Sequence, residues 1–245
     1  MSQKRISPEL LPSDDDLTFW QQCVKRAIVE IQKNWTPYKW GNIGNQDIEG
    51  DGKAGCTEEM LFRNKRVMRP NDPPASHCCG ATMEAFMRAW KYFQDEDDAY
   101  EGEEDMSLAM MKTLYKYFFL IPDASKGRPM SEVLGGAANG LVKLGEHLEW
   151  LDVTRLSDPK EAKFGDFVQM QFEESGGSGH SVIALGPAKW KGNNVLHVWS
   201  SNVGYNQKWP HSAGNVPGHG PDYYRMNYTK NGFKRIFHIG RIESD

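Results

Sequence analysis

The sequence lacks any apolar run of the roughly 18 residues that a membrane-crossing helix needs, so no membrane span is expected. Its opening residues, MSQKRISPELLPSDDD, lack the apolar core of a secretory signal, which points to a cytoplasmic protein or one delivered by a non-classical route. Basic residues are not in excess. Twenty-nine Lys and Arg stand against 33 Asp and Glu, for a net charge of -4. Phosphate binding needs a basic surface, so nucleic acid is excluded as the main partner. Cysteine is scarce: four residues, at 23, 56, 78 and 79, make no disulfide framework. Adjacent cysteines such as Cys78 and Cys79 bridge poorly for geometric reasons, so reduced thiols are expected.

What the chain has is enough apolar sequence for a real core: 39% hydrophobic residues in 245. Eight Trp and nine Tyr suit grooves that hold polar, extended ligands. The first 15 residues read as a loose arm. The run LTFWQQCVKRAIVEIQKNW places Phe19, Cys23, Ala27, Ile28 and Ile31 at three- and four-residue steps, the mark of an amphipathic helix with Asp14–Asp16 at its positive end. Residues 41–76 and 94–105 read as insertions, the first carrying a short helix at Glu58–Val67 and the second a solvated acidic loop. Helical spacing returns after Cys78 through Thr82, Phe86, Trp90 and Phe93. MSLAMMKTLYKYFFLI predicts a buried helix, and Ser131 a cap for SEVLGGAANGLVKLG.

Beyond residue 150 the pattern becomes short and β-rich: DFVQMQF, HSVIALG, NVLHVWS, DYYRMNY and RIFHIGRI, separated by Gly, Asn or Pro. Helices first and strands later predict an α+β fold, one domain over 1–245, with helices packed on an antiparallel sheet.

Ser76-His77-Cys78-Cys79-Gly80 stands where a loop gives way to a helix. A thiol at a helix N-terminus sits beside unpaired N–H groups and the positive end of the dipole, and both favour the thiolate, the true nucleophile. Gly80 would let backbone approach closely. Further on, a Gly/Ser turn delivers His180 to the head of a strand, where the sheet can hold an imidazole for proton transfer to and from sulfur. NVLHVWSSN offers His197 or Asn202 as the polar group that orients that ring, His197 by alternation onto the same face. Asp47-Ile48-Glu49-Gly50-Asp51-Gly52 with Glu58 nearly fits a calcium loop. Glu49 is an unusual ligand and no helix precedes it, so a solvated acidic turn is expected and no metal or cofactor is called for.

The blocks TPYKWGN (36–42), HCCG (77–80), KFGDFV (163–168), GHSVI (179–183) and VLHV (195–198) follow one another in an order that resembles the NlpC-type cell-wall peptidases, compact papain-like cysteine hydrolases. Their usual blocks are PY-x-WGG, DCSG, PGDLV, HVGIYLG and a strand carrying His. The resemblance implies a papain-like fold, Cys78 as nucleophile, His180 as base and His197 as orienting residue, with Asn202 the alternative. It also implies Tyr38 beside the nucleophile, Trp40, His77 and Cys79 around the substrate, and the Cys78 N–H in an oxyanion hole. His77 replaces the family's Asp and Cys79 its Ser, and a shift of one residue would make Cys79 the nucleophile. The implied activity is amide hydrolysis in peptidoglycan stem peptides by a monomer. Acyl transfer or deamidation on the same scaffold, an intracellular peptidase, and a binding module with a decayed site are the alternatives.

Overall fold

The computed structural model describes residues 11–33, 53–70, 76–96, 106–120, 133–172, 179–202, 219–230 and 233–243. Among them are four α-helices: α1 (Phe19–Lys33), α2 (Cys78–Glu96), α3 (Leu108–Phe118) and α4 (Gly136–His147). Ten strands complete the fold. They are β1 (Lys53–Ala54), β2 (Met60–Phe62), β3 (Lys65–Arg69), β4 (Asp152–Leu156), β5 (Phe167–Phe172), β6 (Gly179–Trp190), β7 (Asn193–Asn202), β8 (His219–Asn227), β9 (Thr229–Lys230) and β10 (Phe233–Glu243). The fold is mixed α+β.

The large sheet runs β4-β10-β5-β6-β7-β8, with β9 attached to β10, and every pairing in it is antiparallel. Helices α2 and α4 pack on it, α2 against β6 and β7, α4 against β4, β5 and β10, while α1 lies on α2 and α3 on α4. Strand alternation divides the buried side chains. Phe167, Ile183, Trp199 and Tyr223 face the helices. Val168, Met170, Val182, Ala184, Leu196, Val198 and Phe237 build a second cluster on the other face.

Phe86 lies at the centre of the helix-side core, with ring centroids 5.6 to 6.1 Å from Phe118, Phe167, Trp90 and Trp20. Burial of one such ring contributes about 1.5–3 kcal/mol. This cluster fixes α2 against both α1 and the sheet.

Local chemistry sets the helix ends. Thr18 and Gln21 cap α1 reciprocally: the Gln21 N–H donates to Thr18 Oγ1 at 3.3 Å, and the Thr18 N–H donates to Gln21 Oε1 at 3.1 Å. Asp14–Asp16 form a separate 3-10 turn just upstream. Ser107 caps α3 by accepting from the Met110 N–H at 3.1 Å.

Three expectations change. The segment expected as a helix at Glu58–Val67 is a hairpin, β2 turning into β3 through Arg63 and Asn64, both at positive φ (48° and 59°). Positive φ at both turn positions suits the twist of a two-residue hairpin. The helix expected from Ser131 is interrupted: Val133 is helical, Leu134 and Gly135 form a turn, and α4 runs from Gly136 (φ +53°); Ser131 itself lies outside the described residues. Of the stretch expected as an acidic loop over 94–105, Gln94–Glu96 belong to α2, and 97–105 lies outside the described residues. No helix of the described residues is long and apolar enough to cross a membrane.

Candidate active site

Cys78 is the first residue of α2, and His77 is its cap. The Gly80 N–H donates to His77 Nδ1 at 3.1 Å, and the Ala81 N–H donates to the His77 carbonyl at 2.9 Å. A ring nitrogen that accepts an N–H must hold a lone pair, so the proton of the capping ring sits on Nε2. This replaces the oxygen cap that helices usually carry. The ring is buried edge-on against Phe119, centroids 5.5 Å apart.

The ribbon of β1, β2 and β3 closes over the same helix end. The His77 N–H donates to the Gly55 carbonyl at 3.0 Å. A Cβ on Gly80 would lie 2.0 Å from that carbonyl oxygen, and a Cβ on Gly55 (φ +125°) would lie 2.0 Å from His77 Nε2. Both positions therefore require glycine. The region read as an insertion supplies a wall of the site.

The Cys78 sulfur lies 3.8 Å from that of Cys79. The Cys78 thiol is held well below the ordinary thiol range. The Cys79 hydrogen bond is the largest cause, and burial opposes it. The charge of the His180 ring and hydrogen bonds from His180 and His77 lower it further. Cys56, also buried, shows the opposite: desolvation first, then the nearby Glu84 carboxylate, push its thiol well up. None of the four cysteines forms a disulfide.

Two hydroxyl contacts bring the helix end to the sheet. Ser76 Oγ lies 2.8 Å from Ser201 Oγ on β7. Thr82 Oγ1 donates to the Cys78 carbonyl at 2.9 Å or lies against Ser181 Oγ at 2.8 Å. Ser181 follows His180 on β6. The sheet thus carries His180 towards the helix start, where the charge of its ring helps lower the Cys78 thiol. On the other side, His180 Nε2 is bonded to the Tyr224 hydroxyl, with ring centroids 6.0 Å apart.

His197 is not part of this group. It pairs with Gly186 on β6 and with Arg225 on β8. Gly186 lies six residues beyond His180, roughly 20 Å along an extended strand. Leu196 and Val198, on either side of His197, belong to the cluster with Val182 and Ala184, so His197 faces the other way. The expected alternation onto the face of His180 fails because register, which sequence does not reveal, sets the face. Burial, then the charge of Arg225, lowers the His197 pKa.

Asn202 ends β7, paired with His219. Continuing the register of Ile183 with Trp199 and Ala184 with Val198 sets position 202 opposite His180; its side chain lies outside the described residues. Tyr38 and Trp40 also lie outside them, as does Asp47–Gly52 of the calcium-like loop. Glu58, the last residue of that pattern, pairs with Arg88 at 2.7 Å. Among the described residues no group of three or more His, Cys, Asp or Glu could hold a metal ion.

Sequence reasoning missed Tyr224. Its only signal was a place in DYYRMNY, and two adjacent tyrosines on a strand face opposite ways. It also missed Glu84, whose carboxylate is fully buried on α2. Glu84 accepts from the Thr57 N–H at 2.6 Å and Thr57 Oγ1 at 2.7 Å and pairs with Arg88 at 3.0 Å. That network clamps the β1–β3 ribbon onto the helix. No protein-family model matches the chain, and no curated protein or solved structure matches it either.

Proposed function

We propose that the chain is a papain-like cysteine hydrolase that cleaves amide bonds, with peptidoglycan stem peptides as the substrate class. One observation carries the reading: Cys78 opens α2 at the point where the 2.8 Å Thr82–Ser181 contact joins that helix start to the strand carrying His180, and the His180 charge helps lower the thiol. Perturbed ionisation at such a cluster favours a catalytic role. The substrate class rests on the order of the sequence blocks alone.

In the proposed reaction the Cys78 thiolate attacks the amide carbonyl carbon. Negative charge moves to the carbonyl oxygen, where the Cys78 N–H at the helix end can stabilise it. His180 gives its proton to the leaving nitrogen as the C–N bond breaks, leaving a thioester and a free amine. His180 then takes a proton from water. The resulting hydroxide attacks the thioester and the C–S bond breaks. Carboxylic acid and thiolate are regenerated.

The test is incubation of wild type and Cys78→Ala with purified sacculi, followed by chromatography of the released peptides. The reading predicts new amine and carboxyl ends from wild type and none from the variant. Equal release by both, or none by wild type, contradicts it.

A further inference from the structure

We propose that Tyr224 is the positioning residue for His180, taking the place expected of His197 or Asn202. The inference rests on the reading of Cys78 and His180 as a reacting pair and names the group that holds the base in register.

The geometry is local and specific. Tyr224 lies on β8 opposite Val198, which is opposite Ala184 on β6. It packs against the Val182, Ala184 and Val198 cluster, on the sheet face that His197 does not share. Its hydroxyl bonds His180 Nε2. With Nε2 engaged, Nδ1 is the nitrogen left to meet the Cys78 sulfur. A ring flip would break both contacts at once, so the phenol locks the orientation as well as the position. When the pair exists as thiolate and imidazolium, both ring nitrogens carry protons, and the phenol oxygen accepts the one on Nε2.

A neutral acceptor orients the ring without adding a second negative charge beside the thiolate. The Cys79 thiol, 3.8 Å away, and the His77 ring already favour the thiolate from the helix side. The base therefore needs aiming more than it needs a counter-ion, and a phenol does that. Removing it from a ring that works as a cation forfeits one hydrogen bond to a charged group, which corresponds to about a 10–100-fold loss of rate.

The experiment compares wild type, Tyr224→Phe and Tyr228→Phe. Tyr228 is a second phenol packed on the same face, whose hydroxyl bonds the Pro159 carbonyl instead. The rate of Cys78 alkylation by iodoacetamide is followed against pH, with the site confirmed by peptide mass. Tyr224→Phe should move the profile to higher pH and slow the reaction at least about tenfold on its acid limb. Tyr228→Phe should leave the profile in place. Superimposable profiles for Tyr224→Phe and wild type overturn the proposal while leaving the reacting pair intact. An ordinary thiol profile in wild type overturns the pair and the proposal together. If Tyr224→Phe does not fold, the nitrogen spectrum of His180 in wild type decides. An Nε2 proton that exchanges slowly with water and shows a nuclear Overhauser contact to the Tyr224 ring protons supports the assignment, and a freely exchanging Nε2 proton without that contact contradicts it.

Discussion

The hydroxyls of Thr82 and Ser181 lie 2.8 Å apart in the buried seam between α2 and β6. Thr82 stands one helical turn after Cys78, and Ser181 one residue after His180. This contact ties together the two segments whose meeting makes the site, 99 residues apart in sequence. Thr82→Val keeps the shape and strands the Ser181 hydroxyl, so it should cost about 1–3 kcal/mol of stability. Thr82→Val with Ser181→Ala should cost less than the sum of the single changes. Urea denaturation of the four proteins in the cycle checks this, and strict additivity would show the contact contributes nothing.

His197 and His180 should separate cleanly in function. His180→Ala should lower amide cleavage by about 100-fold or more, the usual loss of a general acid–base group. His197→Ala should stay within about twofold of wild type, since His197 pairs with Gly186 far along the strand. Initial rates on sacculi check both. A loss with His197→Ala equal to that of His180→Ala would restore His197 as the orienting residue.

Glu84 should matter for stability and for the site together. Burial pushes its carboxyl pKa up, and the bonds from Thr57 and Arg88 pull it back. Glu84→Ala leaves the Thr57 donors and the half-buried Arg88 without that carboxylate. Breaking a pair of this kind should destabilise the fold by about 3 kcal/mol. The β1–β3 ribbon should loosen first, so hydrogen exchange at the His77 amide, which bonds the Gly55 carbonyl, should quicken more than at Val24 in α1. Equal acceleration at both would mean that Glu84 supports the core in general and does not clamp the ribbon.

Side-chain spacing made much of this architecture legible. Of the residues read at three- and four-residue steps, Cys23, Ala27, Ile28 and Ile31, and Thr82, Phe86, Trp90 and Phe93, are on buried helix faces, while Phe19 is only partly buried. The five β-rich blocks after residue 150 are all strands of the antiparallel sheet. β4 went unseen because DVTRL, lying at the sheet edge, buries none of its residues fully and shows little apolar alternation. The hairpin at Arg63 and Asn64 went unseen because it lacks the glycine that usually marks such a turn.

The site was legible where chemistry and local position coincide. A helix-start cysteine and a strand-head histidine can each be read from a few neighbouring residues. Their partners could not, because each depends on register or on tertiary closure. His197 looked suitable by composition but lies on the wrong face. Tyr224 becomes visible only when β8 is paired with β7. Gly55 explains Gly80 only after the ribbon folds over α2.

The most direct test of the meeting of sulfur and imidazole is an ultraviolet titration of the thiolate, taken as wild type minus Cys78→Ser, repeated in the His180→Ala background. A depressed thiol pKa means that the thiolate persists as pH falls and is lost only on passing the lowered value. In wild type the Cys78 thiolate signal should remain well below the ordinary thiol midpoint of about 8.5, and in His180→Ala it should move back towards that midpoint. A wild-type midpoint at the ordinary value, or one that His180→Ala leaves unmoved, would contradict the account.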